Sequence, residues 1–218
     1  MLYTKDMELN LGYIAIVLLV ILFSMTLHEA MHAFMGYFLG DDTAKREGRL
    51  TLNPIKHIDP FLTILLPIIL AISGAPIFGG AKPVPFNPDR VRYDEWGAAL
   101  VALAGPLTNL LIAFVAFGVM VLAGMPGGSS AFGQVLTTII SVNLGFFVFN
   151  MIPIPPLDGS RVLYALAPEF VRRGMEVLER YGIVVVFAIV LLFSAGLGLF
   201  MSSIIGAILE AFRFIYRV

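Results

Sequence analysis

The chain has 218 residues, of which 59% are hydrophobic and 13% charged, with a mean hydropathy of +0.92 and a formal net charge of −1. A soluble domain carries about 45–50% apolar and about 25% charged residues, so an ordinary soluble globule is excluded, and so is a nucleic-acid partner, which needs a basic face. With no cysteine there are no disulfides and no thiolate ligands, and any metal must be held by His and carboxylate.

The first apolar stretch, 12–39, reads as a membrane-spanning helix. It is too long for a signal peptide and lacks a small-residue cleavage site, so it is expected to remain in the mature protein. As a continuous helix it would run about 42 Å, longer than the ~30 Å hydrocarbon core. Its second half holds Leu27-His28-Glu29-Ala30-Met31-His32. An ionisable residue in hydrocarbon costs a few kcal/mol or more, so three together require a purpose. The order is HExxH. Helix positions i and i+4 are neighbours, so both imidazoles can reach one ion, and Glu29 stands where it can take a proton from an attacking water. This spacing points to a zinc hydrolase with its site inside the bilayer.

Residues 41–60 and 79–89 change character, being rich in Gly, Pro, Thr and charge, and alternations such as Arg49-Leu50-Thr51-Leu52 suggest small strands and turns. The apolar run 61–73 is short and carries Pro67, which suits a re-entrant segment better than a full span. Three more full spans are expected at 97–124, 131–152 and 182–209, with an amphipathic interfacial helix at 168–181. The fold expected is thus an all-α polytopic membrane protein with four transmembrane helices, as one domain over 1–218. If 61–73 does not cross, eleven of the fourteen basic residues fall on one side of the membrane. The positive-inside rule favours that arrangement, with both termini outside.

A catalytic zinc takes three protein ligands and an open position. The histidines are His28, His32 and His57, and carboxylates at membrane depth are few. Asp158 stands out in Pro153-Ile154-Pro155-Pro156-Leu157-Asp158-Gly159, where the prolines stop the helix and the broken backbone can aim a side chain into a cavity. The bland alternative is that Asp158 is a helix-terminating turn residue. His57 divides evenly between a functional and a structural role. Asn109 and Asn143 read as interhelical hydrogen-bond partners without a chemical role, and Gly105-Pro106 as a kink permitting close packing.

At these motifs the chain resembles the site-2 protease family of intramembrane zinc metalloproteases. His28-Glu29-Ala30-Met31-His32 matches its HExxH, and Leu157-Asp158-Gly159 its LDG. The resemblance also takes in 53–60, Gly80-Ala81-Lys82-Pro83-Val84-Pro85, Ala104-Gly105-Pro106-Leu107-Thr108-Asn109, Asn143 and Asn150. It implies one zinc per chain held by His28, His32 and Asp158, with Glu29 activating the attacking water. It also implies Asn150 near the substrate as an oxyanion donor, and the transmembrane segment of another membrane protein as substrate. An unwound substrate could pair as a strand with an edge from 47–53 or 81–87. The loops at 75–96 and 125–131 are too short for an inserted PDZ domain, and no nucleotide-sensing module follows the last span, so a minimal form is expected. The compact, cysteine-free chain fits the cell membrane of a prokaryote, as a multi-pass protein. Two alternatives remain open from the residues: a metal or proton transporter using the His/Asp site, and a proteolytically silent binder of membrane helices.

Overall fold

The computed structural model describes residues 11–65, 80–126 and 130–218. Four of its helices are long and apolar enough to cross a membrane, which makes the chain a multi-pass membrane protein. The first, α1 (Leu11–Leu39), has 29 residues, with no acidic residue in its first turn and no basic residue in its last. A short turn of helix, α2 (Thr43–Arg46), follows. Irregular backbone then leads through Pro54–His57 and the single wide turn Pro60–Leu65. The second long helix, α3 (Asp94–Leu122), begins with Asp94 and Glu95, which complement the positive end of its dipole. The third, α4 (Ala131–Asn150), is opened by Ser130, whose hydroxyl accepts from Gly133 N–H at 3.0 Å. It ends ahead of Pro153, which cannot continue a helix.

Contacts along α1 and α3 run in opposite senses. Arg92 N–H donates to the Leu39 carbonyl, His32 meets Val101, and His28 meets Asn109. These three rungs set the two helices antiparallel, and the short 123–130 connection turns α4 back alongside α3. The end of α1, the start of α3 and the end of α4 therefore share one end of the bundle. The small helices α5 (Gly159–Leu166) and α6 (Glu169–Arg180) lie there too. Arg172 on α6 ties them to α3, donating to Glu95 at 2.8 Å and to the Tyr164, Ala165 and Ala167 carbonyls.

The last span departs from the expected 182–209. The chain forms α7 (Gly182–Leu192) and α8 (Ser194–Tyr216), separated at Phe193, whose φ of −117° and ψ of 18° leave helical geometry. A single helix over 182–216 would measure about 52 Å, well beyond the ~30 Å core, and α7 alone is too short to cross. The crossing element is α8. Hydropathy alone misses the break because both sides of it are apolar. Phe212 and Tyr216 at its far end stack on Phe114 and Phe117 of α3, with Ile140 and Leu144 of α4 in the same core cluster.

Among the described residues no strand forms, so the small strands expected between the first two spans are absent and 47–53 and 81–87 run as loop. Residues 82–87 are instead a strap tied down by isolated polar contacts. Lys82 N–H donates to the His57 carbonyl, buried Arg49 donates to the Lys82 carbonyl at 2.6 Å, and Asn87 N–H donates to Asp41 at 2.8 Å. With two prolines in its middle the strap lacks the N–H groups a sheet ladder needs. The re-entrant segment expected at 61–73 lies largely outside the described residues. On either side of 66–79 the chain meets itself, with Thr63 Oγ1 donating to the Gly80 carbonyl at 2.7 Å.

Candidate metal centre

The antiparallel docking of α1 on α3 decides where both histidines point. His28 is buried, and its Nδ1 lies 2.6 Å from Asn109 Oδ1. His32 Nδ1 lies 2.7 Å from the Val101 carbonyl oxygen. A carbonyl only accepts, so His32 carries its proton on Nδ1 and turns the Nε2 lone pair inward. The same logic holds for His28, because Asn109 presents its oxygen. The two Nε2 atoms lie 3.0 Å apart, with the rings edge to face.

Asp158 completes the group. Its Oδ2 is 3.2 Å from His28 Nε2 and its Oδ1 is 3.5 Å from His32 Nε2. Aspartate is a favoured helix cap, and Asp158 does precede α5, yet its carboxylate makes no capping hydrogen bond. Its backbone stands in the turn ahead of α5, and its side chain is directed at the histidines. What aims it is close backbone packing. A Cβ on Gly159 would lie 2.3 Å from the Met151 carbonyl oxygen, so only glycine lets the start of α5 fold back against the end of α4.

Two imidazole lone pairs and a carboxylate held this close attract a cation, and His, His and Asp are a donor set that zinc accepts. The space for an ion has a visible floor. A Cβ on Gly105 of α3 would lie 2.4 Å from His32 Nε2 and 2.6 Å from His28 Nε2. Gly105 is therefore the wall of the centre, a role the kink reading from sequence missed. Its signal in sequence is only that GP sits at the middle of a span.

Glu29 is half-buried and shares a helix face with His32, three residues on. Its Oε2 accepts from Val84 N–H at 2.9 Å. Because Pro83 and Pro85 have no N–H, and that of Lys82 is taken by His57, the strap from 82 to 85 has no N–H left for an incoming strand. Asn150 donates to the Phe146 carbonyl of its own helix at 3.0 Å. His57 is 2% exposed and donates through Nε2 to the Thr51 carbonyl at 2.8 Å, which makes it a brace of the 51–57 loop. Asn109 and Asn143, read from sequence as helix glue, are fully buried and linked to each other, and Asn109 reaches His28. A buried polar residue in the middle of the span that packs against α1 carries no local mark of such a role.

The profile of "Peptidase family M50" matches residues 128–194, the stretch that contains Asp158. The chain is 43% identical over 179 residues to "Putative zinc metalloprotease YwhC" of Bacillus subtilis, covering 79% of this chain and 77% of that protein. It is 32% identical over 186 residues to "Putative zinc metalloprotease Rip2" of Mycolicibacterium smegmatis, covering 83% and 70%. Over a shorter stretch of 100 residues it is 44% identical to "Putative zinc metalloprotease MJ0611" of Methanocaldococcus jannaschii, covering 46% and 50%. No solved structure matches it.

Proposed function

Because the chain belongs to peptidase family M50, we propose that it is a zinc endopeptidase that cuts peptide bonds in or near the transmembrane helices of other membrane proteins. His28, His32 and Asp158 hold the metal, Glu29 is the general base, and Asn150 donates to the developing oxyanion. One observation carries this reading. Three ligand atoms converge beside Gly105, within a bundle of membrane-length helices.

Zinc, when bound, supplies a Lewis acid that brings the acidity of water to near neutral pH and polarises a carbonyl. The chain supplies the rest. His28 and His32 present Nε2 because Asn109 and the Val101 carbonyl hold their Nδ1 protons. The carboxylate of Glu29 accepts a proton from the attacking water and returns it to the leaving amide nitrogen. Val84 N–H holds that carboxylate from the far side. Asn150 has two amide hydrogens; the bond to Phe146 uses one and fixes the side chain, leaving the other for the oxyanion.

The excess of basic residues in the loops at the HExxH end supports a cytoplasmic position for that end by the positive-inside rule, in a multi-pass protein of a prokaryotic cell membrane. The test is zinc per chain on detergent-purified protein, together with cleavage of a reconstituted transmembrane peptide. About one zinc in wild type, lost in Asp158→Ala, and cleavage strongly lowered in Glu29→Gln with zinc retained, are the expected results. Wild-type protein without zinc after reloading would end the proposal.

A further inference from the structure

We infer that Ser24, Asn143 and Asn109 form a positioning ring for His28, fixing which nitrogen it turns to the metal and how firmly the metal is held. The inference rests on the ligand set proposed above. The ring leaves α1 and returns to it one turn later. Ser24 Oγ accepts from Asn143 Nδ2 at 2.9 Å, Asn143 Oδ1 accepts from Asn109 Nδ2 at 2.9 Å, and Asn109 Oδ1 faces His28 Nδ1 at 2.6 Å. Three helices, α1, α4 and α3, contribute one link each.

The ring has a direction, and one atom sets it. Asn143 Nδ2 also donates to the Ile139 carbonyl at 2.8 Å, an oxygen that only accepts. That pins the Asn143 amide with its oxygen toward Asn109. Asn109 must then answer with its nitrogen, and its oxygen is left for His28. The imidazole is thereby held with its proton on Nδ1 and its Nε2 lone pair free. Both asparagines are 0% exposed and Ser24 is 4% exposed, so water cannot substitute for a lost link.

Ordinary helix glue has no reason to end on the ring nitrogen of a metal ligand. An interhelical hydrogen bond in a membrane is individually weak, whereas partners that orient a metal-binding His typically change metal affinity about 10- to 100-fold. Asn109 is therefore a positioning residue, and Asn143 and Ser24 act through it.

The experiment measures zinc affinity of the full chain in detergent by competition with a chromophoric chelator, with helical content checked by circular dichroism. Asn109→Leu is expected to bind zinc about 10- to 100-fold more weakly at unchanged helicity, and to shift the visible absorption of the cobalt-loaded protein. Asn109→Asp keeps an acceptor at His28 but offers Asn143 Oδ1 no donor, and is expected to recover only part of the affinity. Should Asn109→Leu not fold, Ser24→Ala, which opens only the far end of the ring, is expected to show a smaller loss in the same direction. Equal weakening by Leu and Asp, or wild-type affinity in Asn109→Leu or Ser24→Ala, overturns the inference while leaving the ligand set intact. Wild-type affinity in His28→Ala would remove the ligand set itself.

Discussion

The backbone N–H of Val84 donates to the Glu29 carboxylate at 2.9 Å, joining a loop to the residue proposed as base across 55 positions of sequence. Val84 is the one residue of Pro83-Val84-Pro85 that has an N–H to give. On either side the strap is pinned, by Arg49 and His57 at Lys82 and by Asp41 at Asn87. The carboxylate is thus held by a fixed donor on one oxygen, leaving the other for water.

Two substitutions separate the base from its support. Glu29→Gln is expected to lower cleavage about 10²- to 10⁴-fold with zinc retained. Val84→Pro removes the N–H and with it a hydrogen bond to a charged group of about 1.5–3 kcal/mol, and is expected to slow cleavage about 10- to 100-fold. Peptide-cleavage rates with zinc content measured in parallel check both, and full activity in Val84→Pro would show that the strap does not orient Glu29.

Gly105→Ala places a Cβ within 2.4 Å of His32 Nε2. Alanine favours helix over glycine by about 1 kcal/mol, so the variant is expected to keep its helical content and lose zinc. Circular dichroism and metal analysis on the same sample decide it. A zinc-loaded Gly105→Ala would mean that the ion sits elsewhere.

Asp41 gives a pH signature outside the membrane helices. Burial opposes its charge, but N–H groups of Asn87 and Thr43, the Thr43 hydroxyl and nearby Arg90 outweigh this and hold the carboxyl below its usual value. A lowered folded pKa stabilises above the unfolded value of about 3.9, and that contribution is lost as pH falls through the folded value. Melting in detergent is therefore expected to show Asp41→Asn less stable than wild type at pH 7. The gap is expected to close as the pH is lowered below about 4.

Arg172 closes three carbonyls at the end of α5 and an ion pair to Glu95 with one planar group. Lysine cannot reproduce that fork. Arg172→Lys and Arg172→Ala are both expected to lose about 2 kcal/mol, read as a lowered melting temperature.

The cysteine-free chain invites labelling of single introduced cysteines. Met125→Cys, in the α3–α4 turn, is expected to react with an impermeant maleimide on intact cells. Lys56→Cys and Arg173→Cys, both at the HExxH end, are expected to react only after lysis. Labelling of Lys56→Cys and Arg173→Cys from opposite sides would refute the shared end.

What the sequence determined by itself was local and periodic. Apolar length placed α1, α3 and α4 to within a few residues, because spanning a slab demands a run of a certain length. The i, i+4 spacing put His28 and His32 on one face, and the prolines before Asp158 marked where backbone leaves the helix. The tertiary structure alone decided what lies across a helix interface. Gly105 as the wall, Asn109 on His28 at a separation of 81 residues, and Val84 on Glu29 all depend on the register in which helices and loop dock. Register is set by the packing of all the faces at once, and no window along the chain contains it. The break at Phe193 escaped for the opposite reason: a continuous apolar run carries no periodic mark of where one helix stops and the next begins.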